Sequence, residues 1–428
     1  MMRLINTLKE QNRLLLLAYG LVLVSFFLPN RVNSIALLIF GILSFLPAVR
    51  NRKNFLHKGS VVSFLLFFVL CLGITYSENK EEGLAIIERS LSLLIIPFLI
   101  IPFRLFNTAQ KRLLLNGFIL SAFLAGLYCI GFASYAFLET GTAYPTGQTG
   151  HFIYNRFMHH QLSSALGIHA IYFSFYCSFA AIAVLQKVLF ANNNSRLTQV
   201  GNVFLILFFI GLIYLLKSSL FAFIFPLSCL LLVFIKFKNQ LQQPKYSIAF
   251  ILICIITAFF SYKGVRSKLD NFETTFNFED QSIRPLAMRL AMWTSAWEVV
   301  QEQVFLGVGT GDAQDELMNE YKRVHFAIGE KNNFNAHNMY LQYWISNGIL
   351  MLLLFVVFLT VLFIKAVQHR NFLFFAFTLF YSFFSLTEST MLKQKGIVFF
   401  VFFAFLFMTD PNCWKLPASN ADENNTST

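Results

Sequence analysis

The chain has 428 residues, of which 57% are apolar, only 13% are charged and 54 are phenylalanine, a composition that excludes a water-soluble domain and requires a bilayer as solvent. The formal net charge of +12 points toward nucleic acid, but the excess is spread over many short polar segments instead of one patch, which argues against that partner. All six cysteines, Cys71, Cys129, Cys177, Cys229, Cys254 and Cys413, fall in apolar runs or the tail, so outer loops carry no disulfide framework.

A membrane-crossing helix takes roughly 20 apolar residues. Such runs stand at about 14–28, 34–49, 61–76, 84–103, 113–138, 163–186, 199–216, 218–235, 246–262, 338–364, 371–387 and 396–409. The expected fold class is therefore an all-α integral membrane protein with about twelve transmembrane helices and one long, partly helical outer loop. No small-residue cleavage site follows the first run, so it reads as a span and not as a cleaved signal. Lys and Arg collect in cytoplasmic loops, and they do so here in alternate connections: Arg50 and Arg52, then Lys111 and Arg112, then Lys187 and Arg196, then Lys236 and Lys238, then Lys365 and Arg370. That alternation puts both termini in the cytoplasm and the long loop outside. Four regions follow: 1–262 with nine spans, 263–337 as the outer loop, 338–409 with three spans, and 410–428 as a disordered tail rich in Asn, Ser and Thr.

The outer loop carries pattern. From Pro285, a residue suited to a first helical turn, Arg289, Trp293, Ala296 and Val300 recur at the spacing of one helical face. Gly307-Val308-Gly309-Thr310-Gly311-Asp312 then breaks the helix, either as a flexible connector or as a nest of backbone amides for an anion. Asp312, Asp315, Glu316 and Glu320 follow at helical spacing and read as a solvated acidic face. Asn335-Ala336-His337-Asn338 leads into the tenth span, where His337, Tyr340 and Trp344 share a face. An imidazole at a membrane edge either anchors the helix or takes a proton from a hydroxyl. Histidines 159, 160 and 169 lie near the start of the sixth span, and neither they nor His337 have metal-ligand spacing, so no metal and no cofactor are expected.

Arg289-x-x-x-Trp293-x-x-Ala296, the run Gly307 to Asp312, and Ala336-His337-Asn338-Met339-Tyr340-Leu341 with Gly348 resemble the signature of the O-antigen ligase and polymerase superfamily. Tyr76-Ser77-Glu78-Asn79, the stretch from His169 to Ser174, and Glu388-Ser389 with Gly396 are similar to patterns in a branch of that family. Arg156 with Gly167 meets the Arg-(ten residues)-Gly spacing of its polymerases. The resemblance implies a glycosyltransferase of the bacterial inner membrane that takes a glycan from undecaprenyl diphosphate on the periplasmic face. The acceptor would be a hydroxyl of lipid A-core in a ligase, of a second carrier-linked glycan in a polymerase, or of a protein. It further implies His337 as general base and Arg289 as the cation on the leaving diphosphate, with Arg156, Lys217 and Arg284 as helpers. Asn338, Tyr340, Trp293, Gly309, Glu388 and His169 support them, and Glu388 and Glu88 remain rival bases.

Lys217, in the short turn Leu216-Lys217-Ser218-Ser219, reads equally as a lysine reaching for lipid headgroups. A transporter or flippase for lipid-linked glycans stays open as another class, although neither repeated halves nor mid-membrane polar residues are visible in the sequence.

Overall fold

The computed structural model describes residues 2–52, 58–145, 155–190, 195–240, 243 and 285–415, with side chains from residue 12 and, in the last segment, from residue 287. The expected span at 246–262, the first part of the outer loop, Arg284 and residues 416–428 lie outside them.

Within the described residues the fold is all-α and contains no strand. Helices α1 (Met2–Ser25), α2 (Asn30–Arg50), α3 (Lys58–Tyr76), α4 (Lys80–Ser90), α5 (Ser92–Leu99) and α6 (Thr108–Thr140) come first. They are followed by α7 (His159–Ser163), α8 (Ala170–Phe190), α9 (Arg196–Leu215) and α10 (Ser219–Phe237). After the gap come α11 (Pro285–Glu302), α12 (Ala313–Arg323), α13 (Ala327–Lys331), α14 (Met339–Gln368), α15 (Phe372–Thr387) and α16 (Gln394–Thr409). Among the described residues eight helical stretches are long and apolar enough to cross a membrane, with α4 and α5 together forming one of them; the apolar part of α1, and α15 and α16, are shorter. This makes the chain a multi-pass membrane protein.

Two kinds of apolar surface explain the arrangement. On α2, α6 and α9, residues such as Leu38, Leu138, Leu197 and Leu207 are well exposed, as lipid-facing positions would be. By contrast α16 is apolar on every side, and Phe399, Phe400, Phe402, Phe403, Phe405 and Phe407 are all fully buried. A helix apolar all round belongs in the middle of a bundle. Since lipid is as apolar as a side chain, close ring packing must hold it there. Phe400 stacks on Tyr381 at 3.6 Å and Phe407 on Phe374 at 4.8 Å, pairs worth roughly 0.5–1.5 kcal/mol each beyond area.

The second half of the outer loop is a packed helical layer. Ala296 and Val300, which the spacing puts on one face of α11, are buried against Leu317 and Tyr321 of α12 and Ile345 of α14.

The tenth span was expected to be continuous through Gly348, and it is not. Asn347 (φ −135°, ψ 23°) and Gly348 (φ 70°, ψ −169°) leave helical geometry, and the segment Val304–Gly309 fills the break. Val308 N donates to Ile345 O at 2.8 Å, Gly309 N to Ser346 O at 2.9 Å and Ile349 N to Val304 O at 3.0 Å. Backbone groups freed by the break are thus paired again, as burial requires. Gly348 adopts a conformation essentially confined to glycine, and a Cβ there would overlap the Phe305 carbonyl. Gly348→Ala is expected to cost at least about 1–3 kcal/mol from backbone strain alone. Thermal unfolding in detergent should show a lower Tm for this variant and little change for Gly117→Ala, where an added methyl meets nothing.

The same connection corrects two expectations. The amides of the glycine run do not form an anion nest, because Val308 and Gly309 bond to the broken helix, Gly311 N to Ser77 Oγ at 3.0 Å and Asp312 N to Gly309 O. Asp312 is not on a solvated face. It is buried, and its carboxylate accepts from Glu78 N at 2.8 Å and Asn79 N at 2.7 Å. Glu320 is likewise buried and paired with Arg323. The motif Tyr76-Ser77-Glu78-Asn79 is therefore the seat on which the glycine run docks.

Candidate functional site

Two chain turns meet at one end of the bundle. One is Asn335–Asn338, just ahead of α14. The other is Glu388–Lys393, between α15 and α16. Asn338 caps α14 by accepting from Tyr340 N at 3.0 Å and Leu341 N at 3.2 Å, which fixes where the helix starts. His337 precedes it with φ 42°, a left-handed conformation that costs an L-residue about 1–3 kcal/mol and marks functional turns. Several bonds hold it there. Its N–H donates to Asn335 Oδ1 at 2.9 Å, its carbonyl accepts from Trp293 Nε1 at 3.4 Å, and Ser389 Oγ donates to the same Asn335 oxygen at 3.0 Å. Tyr340 adds a bond from its hydroxyl to Ser382 O at 3.0 Å.

The side chains then form a chain of charge. His337 Nδ1 lies 3.1 Å from Glu388 Oε2, and an Arg289 terminal nitrogen lies 3.8 Å from Glu388 Oε1. Burial alone would raise the Glu388 carboxyl, but the hydrogen bond to His337 and the charge of Arg289 hold it below the ordinary glutamate value. An ionised carboxylate only accepts, so Nδ1 of a neutral His337 carries the proton and Nε2 is left as a proton acceptor. Arg289 reaches this carboxylate from α11, and its buried Nε has no hydrogen-bond partner among the described residues.

Beside this chain a cavity of about 360 Å³ opens, lined by His337, Glu388, Asn335, His169, Tyr172 and Lys395 among others. His169 stands just ahead of α8, one ring in a column: His159 and His160 are 3.9 Å apart and His160 and His169 3.8 Å. Burial, chiefly, and repulsion from His160 push His169 down to about 3, so it is a neutral wall of the cavity. Among the described residues no three His, Cys, Asp or Glu side chains are gathered to hold a metal ion.

The other sequence candidates fall elsewhere. Arg156 donates to Thr142 O at 3.2 Å and Thr140 Oγ1 at 3.3 Å and does not line the cavity. Lys217, exposed in the turn between α9 and α10, does not line it either, and Arg284 lies outside the described residues. Gly309 packs on Ser77, away from the cavity. Glu88 is exposed, and its neighbour Arg89 pairs with Glu82 at 3.3 Å. Sequence reading missed Asn335 and the Lys393–Lys395 pair as site residues. The signal was present, since two lysines open an otherwise apolar run on the expected outer side.

A membrane-embedded helical bundle with an imidazole, a carboxylate and a guanidinium in line beside a cavity defines the class. Residues 180–356 match the sequence model of the O-antigen ligase family, a match that contains Arg289, His337 and Gly348 and supports a place in the O-antigen ligase superfamily. That family is of the glycan ligase or polymerase kind. No curated protein matches the sequence.

Proposed function

We propose that the protein transfers a glycan from undecaprenyl diphosphate to an acceptor hydroxyl at the periplasmic face of the bacterial inner membrane, most simply as an O-antigen ligase acting on lipid A-core. The observation that carries this reading is the His337–Glu388 pair at the cavity wall, with Arg289 on the other carboxylate oxygen. The acceptor oxygen attacks the anomeric carbon and its proton passes to His337 Nε2. The bond from that carbon to the diphosphate breaks, its electron pair leaves with the diphosphate, and the configuration inverts. Glu388 is the orienting partner of His337 in this scheme, not its rival, because it fixes the tautomer and stabilises the imidazolium that forms. Arg289 meets the charge growing on the leaving diphosphate, with a guanidinium geometry suited to phosphate oxygens. Arg156, Lys217 and Arg284 serve the donor farther along. Fixed cations suffice for this charge, so the reading includes no metal or cofactor.

The same proposal places twelve spans across the membrane with both termini in the cytoplasm. Ligase and polymerase share donor and chemistry and differ in acceptor. The test supplies purified protein in nanodiscs with undecaprenyl-diphosphate-linked glycan and either lipid A-core or a second carrier-linked repeat. Glycan on lipid A-core is the expected result. A ladder of carrier-linked chains would make the protein a polymerase, and transfer to neither would overturn both.

A further inference from the structure

Lys395 is a buried cation that the chemistry above does not use. Its residue is 7% exposed, it lines the cavity beside His337, and its ammonium has no hydrogen-bond partner among the described residues. It also sits in the first turn of α16, where the helix dipole is positive and a cation is disfavoured. Burying an unpaired ammonium costs several kcal/mol, and proteins keep such groups where something pairs with them. Among the described residues Glu388 is the one carboxylate on the cavity wall, and it is already engaged by His337 on one oxygen and Arg289 on the other. Lys393, exposed, adds a second positive charge to the wall of the same cavity.

The two cation positions are distinct. Arg289 approaches Glu388 from α11 and is not part of the cavity wall, whereas Lys395 and Lys393 come from the start of α16 and its preceding turn and belong to that wall. If Arg289 holds the leaving diphosphate, as proposed above, the cations of the cavity wall are left for a second anion, one carried by the acceptor. We propose that this cavity is the acceptor subsite and that Lys395, with Lys393, holds an anionic group, phosphate or carboxylate, on the acceptor glycan. The inference rests on the transfer reading and adds a substrate property to it: the acceptor is acidic near the hydroxyl that reacts. Asn335 and Tyr172 give the cavity neutral polar groups for the sugar around that anion.

The test uses the full chain in nanodiscs with four acceptors: a core glycan bearing both phosphate and uronic carboxylate, its dephosphorylated form, its carboxyl-reduced form, and the form lacking both charges. Binding is measured without donor, and transfer kinetics with it. Wild-type protein should bind the charged glycan at least tenfold more tightly than the uncharged one, and the arm that loses this preference identifies phosphate or carboxylate. Lys395→Met should abolish the preference and raise the acceptor KM about tenfold with the donor KM unchanged, and Lys395→Arg should recover most of it. Lys393→Ala, a surface change that leaves folding intact, should weaken only the charged acceptor, by a few-fold. A rise in donor KM alone would assign the lysine to the leaving diphosphate and overturn the proposal, as would equal losses on charged and uncharged acceptors. Charge-selective binding through Lys395 without any transfer would overturn the transfer reading and leave the anion site standing.

Discussion

His337→Ala is expected to lower the rate of glycan transfer about 10²–10⁴-fold, the usual contribution of a positioned general base, while the protein still inserts and folds. The fold should survive because the turn is held by other groups. The Asn335 side chain, the Asn338 cap and the Ser389 hydroxyl keep their bonds, and only the imidazole leaves the cavity wall. Alanine would still occupy a left-handed conformation at φ 42°, so a modest loss of stability accompanies the catalytic one. His337→Asn separates the two, since asparagine tolerates that conformation but cannot act as a base. Single-turnover transfer on both variants, with Tm measured alongside, should show equal loss of rate and a smaller loss of stability for asparagine.

Glu388→Gln should lower kcat by about 10²–10⁴-fold with little change in donor KM, by analogy with the loss seen when a triad carboxylate becomes an amide. The amide is nearly isosteric, so Thr390 N, bonded to the Glu388 carbonyl at 2.9 Å, keeps its partner. What changes is the group facing Nδ1. A carboxylate forces the proton onto Nδ1, whereas an amide can donate to it and leave the wrong tautomer. The direction of the Glu388 shift sets the pH dependence. Because its folded value lies below the ordinary glutamate value, its charge contributes stability that is present above that ordinary value and lost as pH falls through the folded one. Between pH 5 and 8 Glu388 stays ionised, so an acid limb inside that window must come from another group. Unfolding midpoints below about pH 4 should fall less steeply for Glu388→Gln than for the parent.

Much of this site could be read from the residues, for reasons that differ from part to part. The apolar runs mark the long helices because lipid leaves few alternatives, and the Pro285 periodicity marks α11, whose Ala296 and Val300 the structure buries. His337 and Asn338 stood out because a polar turn at a membrane edge is costly unless used. The break at Gly348 was not legible, since an isolated glycine in an apolar run is compatible with a continuous helix and only the insertion of Val304–Gly309 decides otherwise. Asp312 was misjudged for a similar reason. Its partners Glu78 and Asn79 lie more than two hundred residues away in the chain, and local charge patterning cannot see them. Lys395 was passed over because basic residues flanking a span usually report topology, and only its burial against the cavity sets it apart.

The most direct test of the central claim follows the carrier itself. Wild-type protein in nanodiscs is given undecaprenyl-diphosphate-linked glycan and acceptor, and free undecaprenyl diphosphate is quantified against acceptor-linked glycan. The account predicts one carrier released for each glycan transferred, inverted configuration at the new bond, and loss of both products with His337→Ala. Intact lipid-linked donor moved across a bilayer with no carrier released would contradict it and identify a transporter instead.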